Sequence, residues 1–183
     1  MNNANRNSNV TIAPDGTLTA DSFIENGILT EHGIAFADYY DNAFMNKTFT
    51  LSAFVKPFGR SVITLSMSNY TNADARANFN ISTGAILSYS NGPQDFTDVS
   101  GTMTNVGNGW YRCSLTATKL AFSNHIVPNI MLNNGSTTYY AGDGISGAYI
   151  WGAQFEISST MSEYVPKVAG SIVKRFSNRI TAN

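Results

Sequence analysis

The stretch "GAYIWGAQFEI" (residues 147–157) is typical of a long β-strand, because its residues alternate in character along the chain. Successive side chains of a strand point to opposite faces of the sheet. We expect one set to face a hydrophobic core: Tyr149, Trp151, Ala153, Phe155 and Ile157. The other set would lie on the outer face: Ala148, Ile150, Gly152, Gln154 and Glu156. In the preceding "GDGISG" (residues 142–147) two glycines flank Asp143, which predicts a tight turn with positive φ before the strand.

The same two-residue alternation recurs along the rest of the chain. It places every second residue of "FTLSAFVKPF" (49–58) and of "SVITLSMS" (61–68) on an apolar face. "GWYRCSLTAT" (109–118) divides into an apolar side with Cys113 and Leu115 and a polar side with Trp110 and Arg112. Turn-forming clusters such as "APDG", "NGPQD", "GNG" and "NNGS" separate these stretches. Strands do not alternate with long helices, so the sequence predicts an all-β fold, an antiparallel jelly-roll β-sandwich with two facing sheets.

The expected organisation is a single folded domain. A chain of 183 residues with 43% apolar residues is long enough for one well-buried core and short for two. We assign residues 1–9 to an N-terminal arm, residues 10–166 to the β-sandwich, and residues 167–183 to a basic C-terminal tail.

Composition and charge argue against several classes of function. A formal net charge of −1 gives no general attraction to nucleic acid. Cys113 is the single cysteine, so it forms no internal disulfide, and we expect it to be a small buried residue. The N-terminal "MNNANRNSNV" lacks the apolar centre of a signal peptide, and no apolar run is long enough to span a bilayer. We therefore expect no signal peptide and no membrane insertion.

Four segments, in order along the chain, resemble a β-sandwich domain that recurs in virion proteins of tailed bacteriophages. They are "VTIAPDGTLTAD" (10–21), "FTLSAFVKPFGRS" (49–61), "GNGWYRCSLTAT" (107–118) and "YAGDGISGAYIWGAQFEISSTMSEYVPKVAGSIVKR" (140–175). The family pattern ends in "YIWGAQLE" followed by "SYIPT"; Phe155 and Lys167 stand here in place of its Leu and its Thr. The family is similar to the jelly rolls of non-catalytic carbohydrate-binding modules and concanavalin-like lectins.

This resemblance implies a non-enzymatic protein of the virion surface, such as a tail fibre, head fibre or decoration protein, made in the bacterial cytoplasm. It would attach to capsid or tail proteins, form a homo-oligomer such as a trimer, and bind a host-surface polysaccharide. Two alternatives stay open. One is a purely structural capsid or tail protein without glycan binding, and the other is a non-catalytic module excised from a larger polysaccharide-degrading tailspike.

Sugar binding would require exposed aromatic rings flanked by polar groups, on loops or on a sheet face. The candidates near turns are Tyr39, Tyr40, Tyr70, Tyr89, Tyr139 and Tyr140. The candidates on the outer strand face are Trp110, Arg112, Gln154 and Glu156. The alternative is that the tyrosines pack on loop backbone with their hydroxyls hydrogen-bonded, and that Trp110 covers a sheet edge.

Metal binding and catalysis find less support in the residues. Carbohydrate-binding modules of this architecture often hold a structural calcium ion, for which the candidate ligands here are Asp15, Asp21, Asp143 and Glu156. Trp151 and Gly152 stand where related modules tend to carry acidic residues, which argues against the ion. Zinc is not expected, since His32 and His125 are far apart and no Cys–His cluster joins them. We expect no catalytic residue, because nothing in the sequence brings Glu156 to a second carboxylate such as Asp143 or Glu163.

Overall fold

The computed structural model of the chain describes residues 3–36, 38–69, 74–92 and 95–166. Its regular structure is almost entirely β, apart from one turn of 3₁₀ helix at Asn42–Phe44. The strands in chain order are β1 (Ala4–Thr11), β2 (Ala20–Glu25), β3 (Leu29–Glu31), β4 (Gly33–Ala35), β5 (Tyr39–Tyr40), β6 (Thr48–Phe58), β7 (Val62–Ser68), β8 (Ala75–Asn80), β9 (Ala85–Ser90), β10 (Phe96–Gly107), β11 (Trp110–Lys119), β12 (His125–Asn133), β13 (Tyr139–Ala141) and β14 (Gly147–Ile157). No helix in this part of the chain is long and apolar enough to cross a membrane.

Two antiparallel sheets form a sandwich. Sheet I has the order β1-β2-β14-β6-β11-β10, and Sheet II has the order β4-β12-β7-β8-β9, with β5 beside β12. β3 and β13 form a separate two-stranded ribbon. The chain passes from Sheet I to Sheet II between β6 and β7 and again between β11 and β12, so strands distant in sequence become neighbours, as in a jelly roll. The predicted all-β fold of two facing antiparallel sheets is confirmed.

Of the two terminal segments assigned from the sequence, the structure describes most of the first and none of the second. Residues 4–9, which the sequence assigns to an N-terminal arm, belong to β1, and β1 pairs with β2 at the edge of Sheet I. The predicted basic tail, residues 167–183, lies outside the described residues.

The hydrophobic core lies between the two sheets. β6 contributes Phe49 and Leu51, and β7 contributes Ile63 and Leu65, all fully buried. Burial of each such side chain stabilises the fold by about 1.5–3 kcal/mol. Cys113 of β11 also faces the core, as predicted, and burial raises the pKa of its thiol well above the usual range. The two-residue alternation therefore identified the inner face of these strands correctly.

The first half of β14 is oriented opposite to the prediction. Ala148 and Ile150 face the core, whereas Tyr149 and Trp151 lie on the outer face of Sheet I and pack in a second apolar cluster there. The prediction that Tyr149 and Trp151 are core residues was wrong. So was the prediction for Ala153, which is exposed.

A β-bulge explains why the second half of β14 returns to the predicted orientation. Trp151 pairs with Phe54 of β6, and Gln154 pairs with Ser52, so three steps on β14 match two steps on β6. Gly152 supplies the bulge conformation with a φ of +59°. The extra residue reverses the alternation. Phe155 and Ile157 therefore pack against the core.

Candidate functional site

Residues 158–166, which we call the C-terminal strap, lie across the outer face of Sheet I. Thr50 Oγ1 donates a hydrogen bond to the carbonyl of Ser158 at 2.9 Å. Arg112 Nη2 donates to the carbonyl of Ser162 at 2.7 Å, and the Ser162 amide donates to Glu156 Oε1 at 2.9 Å. The surface on which the sequence placed a polar ligand site is thus covered by the chain itself.

The three polar candidates on this face come together, as the sequence predicted, but their partners belong to the strap. Gln154 Nε2 donates to Ser162 Oγ at 2.8 Å and to Glu156 Oε1 at 3.0 Å. The amide of Val165 donates to Gln154 Oε1 at 3.3 Å. Burial lowers the pKa of Arg112, an effect that the nearby Glu156 carboxylate opposes. Arg112, Gln154 and Glu156 therefore hold the strap in place.

Aromatic residues fill the rest of the space beneath the strap. Trp151 and Tyr164 have ring centroids 4.5 Å apart, and Tyr164 also packs edge-on against Phe54 at 5.8 Å. Trp110 is only 1% exposed, and its indole N–H donates to the carbonyl of Ile12 at 3.2 Å. The expectation that Trp110 stacks on a sugar needs correction, because the segment before β2 covers its ring.

A buried carboxylate, Glu25, organises the "GDGISG" turn before β14. It accepts hydrogen bonds from Arg60 Nε at 2.8 Å, from the Tyr140 hydroxyl at 2.6 Å and from the Asp143 amide at 2.8 Å. Burial raises the pKa of Glu25, but the hydrogen bonds from Arg60 and Tyr140 outweigh it, and the net pKa lies below the ordinary value. Tyr140 is buried in this network, so this sugar-binding candidate has no ring face open to a ligand.

Asp143 has a structural role in the same turn. Its carboxylate accepts hydrogen bonds from the amides of Ile145 at 2.9 Å and Ser146 at 2.7 Å, and from Ser146 Oγ at 2.6 Å. The bonds from Ser146 hold the pKa of Asp143 well below its usual range. Gly144 adopts a φ of +77°, in agreement with the predicted turn of positive φ. Asp143 thus closes the turn with its own side chain.

The remaining tyrosine candidates differ in exposure. Tyr39 stacks on Phe155 at the margin of the core, with centroids 5.5 Å apart, and burial raises the pKa of its hydroxyl. Tyr89 is exposed and donates its hydroxyl hydrogen to a backbone carbonyl of β10 at 3.1 Å. Tyr139 is exposed on the β3–β13 ribbon. Tyr70 lies outside the described residues.

Tyr40 is the most exposed of the tyrosine candidates that the structure describes, at 65%. Its ring stacks on the imidazole of His125, with centroids 4.1 Å apart and an angle of 3° between the planes. The sequence singled out Tyr40 for its place near a turn and His125 only as an unlikely zinc ligand. Their contact could not be found from sequence, because the two residues are far apart in the chain and no local pattern links them.

The four candidate calcium ligands do not form a common site. Among the described residues, no three His, Cys, Asp or Glu side chains are grouped so that they could hold a metal ion. Asp15 accepts hydrogen bonds from Thr17, and Asp21 accepts them from Arg6 and from the amide of Asn9. Asp143 and Glu156 bind protein groups as described above. Calcium binding stays a prediction, and the positions of these four carboxylates give it no support.

Comparison of the chain with protein-family models found no matching family, and comparison with curated proteins found no match. We therefore infer function from the residues themselves and from the resemblance in sequence motifs.

Proposed function

We propose that this chain is a non-enzymatic surface protein of a tailed bacteriophage, which assembles as a homo-oligomer and attaches to capsid or tail proteins through its own sandwich. The motif resemblance between residues 10 and 175 supports the virion origin. The antiparallel sandwich agrees with the jelly roll that the resemblance implies. The surface of the sandwich supports the assembly role.

The exposed edge strand β9 is the observation that carries the assembly part of the proposal. It forms one edge of Sheet II and, within the described residues, pairs only with β8. All of its residues are exposed, among them Ile86, Leu87 and Tyr89. β9 contains neither a charged residue nor a proline, which are the features by which edge strands usually avoid pairing with another chain. An uncharged, apolar and exposed edge supports contact with a second copy, as in a closed ring such as a trimer.

The two carboxylates that the sequence considered for glycoside cleavage, Asp143 and Glu156, are too far apart to act as a pair. Asp143 lies in the turn before β14, and Glu156 lies near the other end of that strand. The strand separates them by roughly 30 Å at the usual rise per residue. Glycoside hydrolysis by two carboxylates requires a separation of about 5–10 Å. Both carboxylates also accept hydrogen bonds from neighbouring protein groups, as described above.

Two features bear on whether the protein also binds a glycan. The strap covers the outer face of Sheet I, which favours the purely structural alternative, since Arg112, Gln154 and Glu156 are occupied there. The exposed ring of Tyr40 favours the glycan-binding form of the proposal. We include glycan binding in the proposed function because the ring of Tyr40 is exposed.

The test is to locate the chain on purified virus particles. Antibodies raised against the recombinant protein should label the surface of particles whose genome encodes it, and light scattering of the free protein should give the mass of an oligomer. Absence of the chain from purified particles would overturn the proposal. Hydrolysis of a host polysaccharide by the purified protein would equally overturn it.

A further inference from the structure

Tyr40 has one ring face that is covered and one that is open. The parallel stack on His125 covers the first face, while the residue as a whole remains 65% exposed. An exposed fraction of this size fits a ring whose opposite face is open to solvent. An aromatic ring that is flat, open on one side and supported on the other is a surface on which an apolar ligand face can stack.

Backbone pairing and a side-chain contact fix the orientation of this ring. Tyr40 and His125 are directly opposite each other in the antiparallel β5–β12 pair. His125 is buried, and its Nε2 lies 3.0 Å from Asp38 Oδ1. The ring is therefore held in position before any ligand arrives. Such preorganisation reduces the conformational entropy that binding would otherwise cost.

A buried ion pair anchors the loop next to the ring, residues 120–124. Lys119 Nζ contacts Asp95 Oδ1, and both side chains are fully buried. Ser123 joins them, because its Oγ donates to Asp95 Oδ2 at 3.1 Å and accepts from Lys119 Nζ at 3.0 Å. The loop then connects to the segment after Tyr40, where the Asp41 amide donates to the carbonyl of Asn124 at 3.1 Å. These contacts therefore hold the loop, including Asn124, in a fixed position next to Tyr40.

Polar groups suited to sugar hydroxyls lie on the segments next to Tyr40 and His125. The Asp38 side chain is 46% exposed and presents a carboxylate acceptor. Asn124 Nδ2 donates to Asn42 Oδ1 at 3.1 Å, and Asn42 is exposed. Among the described residues, no hydrogen bond involves Asn42 Nδ2 or Asn124 Oδ1, which leaves an amide donor group on Asn42 and a carbonyl acceptor on Asn124. Carboxylate and amide groups together provide both acceptors and a donor.

We propose that Tyr40, with His125 behind it and Asp38, Asn42 and Asn124 around it, forms a binding site for a pyranose ring; we call it the Tyr40 platform. The C–H groups on one face of a pyranose form an apolar patch that stacks on an aromatic ring, and the hydroxyls at its rim meet the carboxylate and the amides. The ligand class is therefore a neutral carbohydrate presented as a single residue or a chain end. This inference rests on the glycan-binding part of the proposed function and names its site.

Another exposed tyrosine lacks this arrangement. Tyr139 is 56% exposed on the β3–β13 ribbon, but no ring stacks behind it among the described residues. In the part of the chain that the structure describes, no side-chain hydrogen bond or ring contact fixes the orientation of this ring. Tyr139 is not part of the Tyr40 platform and serves as the matched control.

The experiment is saturation-transfer NMR on the full chain with methyl glycosides of glucose, galactose, mannose and N-acetylglucosamine, in both anomeric forms. At least one glycoside should receive saturation, strongest at the C–H groups of one ring face. Tyr40→Ala should weaken its binding about tenfold, which corresponds to loss of one stacking contact. Tyr40→Phe should retain binding, because stacking requires the ring and not the hydroxyl. Tyr139→Ala should also retain it.

The outcomes separate this inference from the proposed function. Absence of saturation transfer to every glycoside overturns the Tyr40 platform, and so does binding that Tyr40→Ala leaves intact. Loss of binding in Tyr139→Ala to the same extent as in Tyr40→Ala also overturns it. None of these results changes whether antibodies find the chain on virus particles, and absence from particles does not change the glycoside result.

Discussion

Arg112 donates a hydrogen bond from Nη2 to the backbone carbonyl of Ser162, 2.7 Å away, and thereby fastens the C-terminal strap to Sheet I. The guanidinium also lies over the ring of Phe54, with Cζ 5.2 Å from the ring centroid. The same side chain was a candidate for ligand binding on sequence grounds. Its contacts make it part of the fold instead.

Replacement of Arg112 by alanine is expected to loosen the strap. A hydrogen bond to a charged group contributes about 1.5–3 kcal/mol, and we expect a loss of stability of that size. Urea unfolding followed by tryptophan fluorescence measures it, since Trp151 lies beneath the strap. Arg6→Ala is the control, because Arg6 forms an exposed ion pair with Asp21 that should contribute less than about 1 kcal/mol. Equal losses in the two variants would contradict the role of Arg112.

Replacement of Gly152 by alanine is expected to destabilise the bulge of β14 by about 1–3 kcal/mol. The φ of +59° disfavours any residue with a Cβ, and that Cβ would lie 3.0 Å from Phe54 Cδ2 and 3.2 Å from the ring of Tyr164. Thermal and urea unfolding provide the measurement. Gly27→Ala is the matched control, since a Cβ at Gly27 meets nothing within 4 Å. If both variants unfold alike, the bulge does not require glycine at position 152.

The network around Glu25 predicts a dependence of stability on pH. Because the net pKa of Glu25 is lowered in the folded state, the unfolded state binds more protons near the ordinary pKa of about 4.5. The stabilisation is therefore present above that pH and is lost as pH falls through the folded pKa. Glu25→Gln should lower the free energy of unfolding by about 3 kcal/mol at about pH 7, and by clearly less at about pH 3.

Chemical denaturation at a series of pH values tests this prediction. Other carboxyls titrate in both proteins, so the difference between wild type and Glu25→Gln isolates the effect of Glu25. Glu163→Gln, at an exposed position of the strap, is the control and should match wild type. A difference between wild type and Glu25→Gln that stays constant with pH would show that the charge of Glu25 is not involved.

A charged residue introduced into the edge strand β9 is expected to change the oligomeric state of the protein. Leu87→Lys should shift the mass in sedimentation velocity from oligomer towards monomer, because a lysine on an edge strand opposes pairing with a second chain. Ile145→Lys places the same charge on an exposed apolar residue of the "GDGISG" turn and should leave the mass unchanged. If Leu87→Lys keeps the wild-type mass, copies of the chain do not associate through β9.

Much of the fold could be predicted because alternation in β6, β7 and β11 is regular. Phe49, Leu51, Ile63 and Leu65 all face the core as expected. In β14 the same rule failed at Trp151, since a bulge adds one residue and alternation carries no information about it. Gly152, next to Trp151, was the residue in the sequence that could have indicated the bulge.

The candidate sites were less accessible to sequence reasoning, because exposure depends on contacts between distant segments. Tyr139 and Tyr140 point to opposite sides of β13, which alternation predicts, but only the contact of Tyr140 with Glu25 decides which of them is buried. Trp110 is covered by a segment far away in the sequence. The pairing of Tyr40 with His125 likewise exists only in the folded sheet.

The bulge at Gly152 has a consequence for how this strand tolerates insertions and deletions during evolution. Loss of the extra residue, such as Ala153, would restore regular alternation along the whole strand and leave Phe155 and Ile157 in the core, opposite the same residues of β6. Gain of one further residue would turn Phe155 and Ile157 to the outer face, because a one-residue bulge does not absorb it. Related genes are therefore expected to keep the length between Ile150 and Phe155 or to lack one residue there, and with it the need for glycine at position 152, while the surrounding loops vary freely in length.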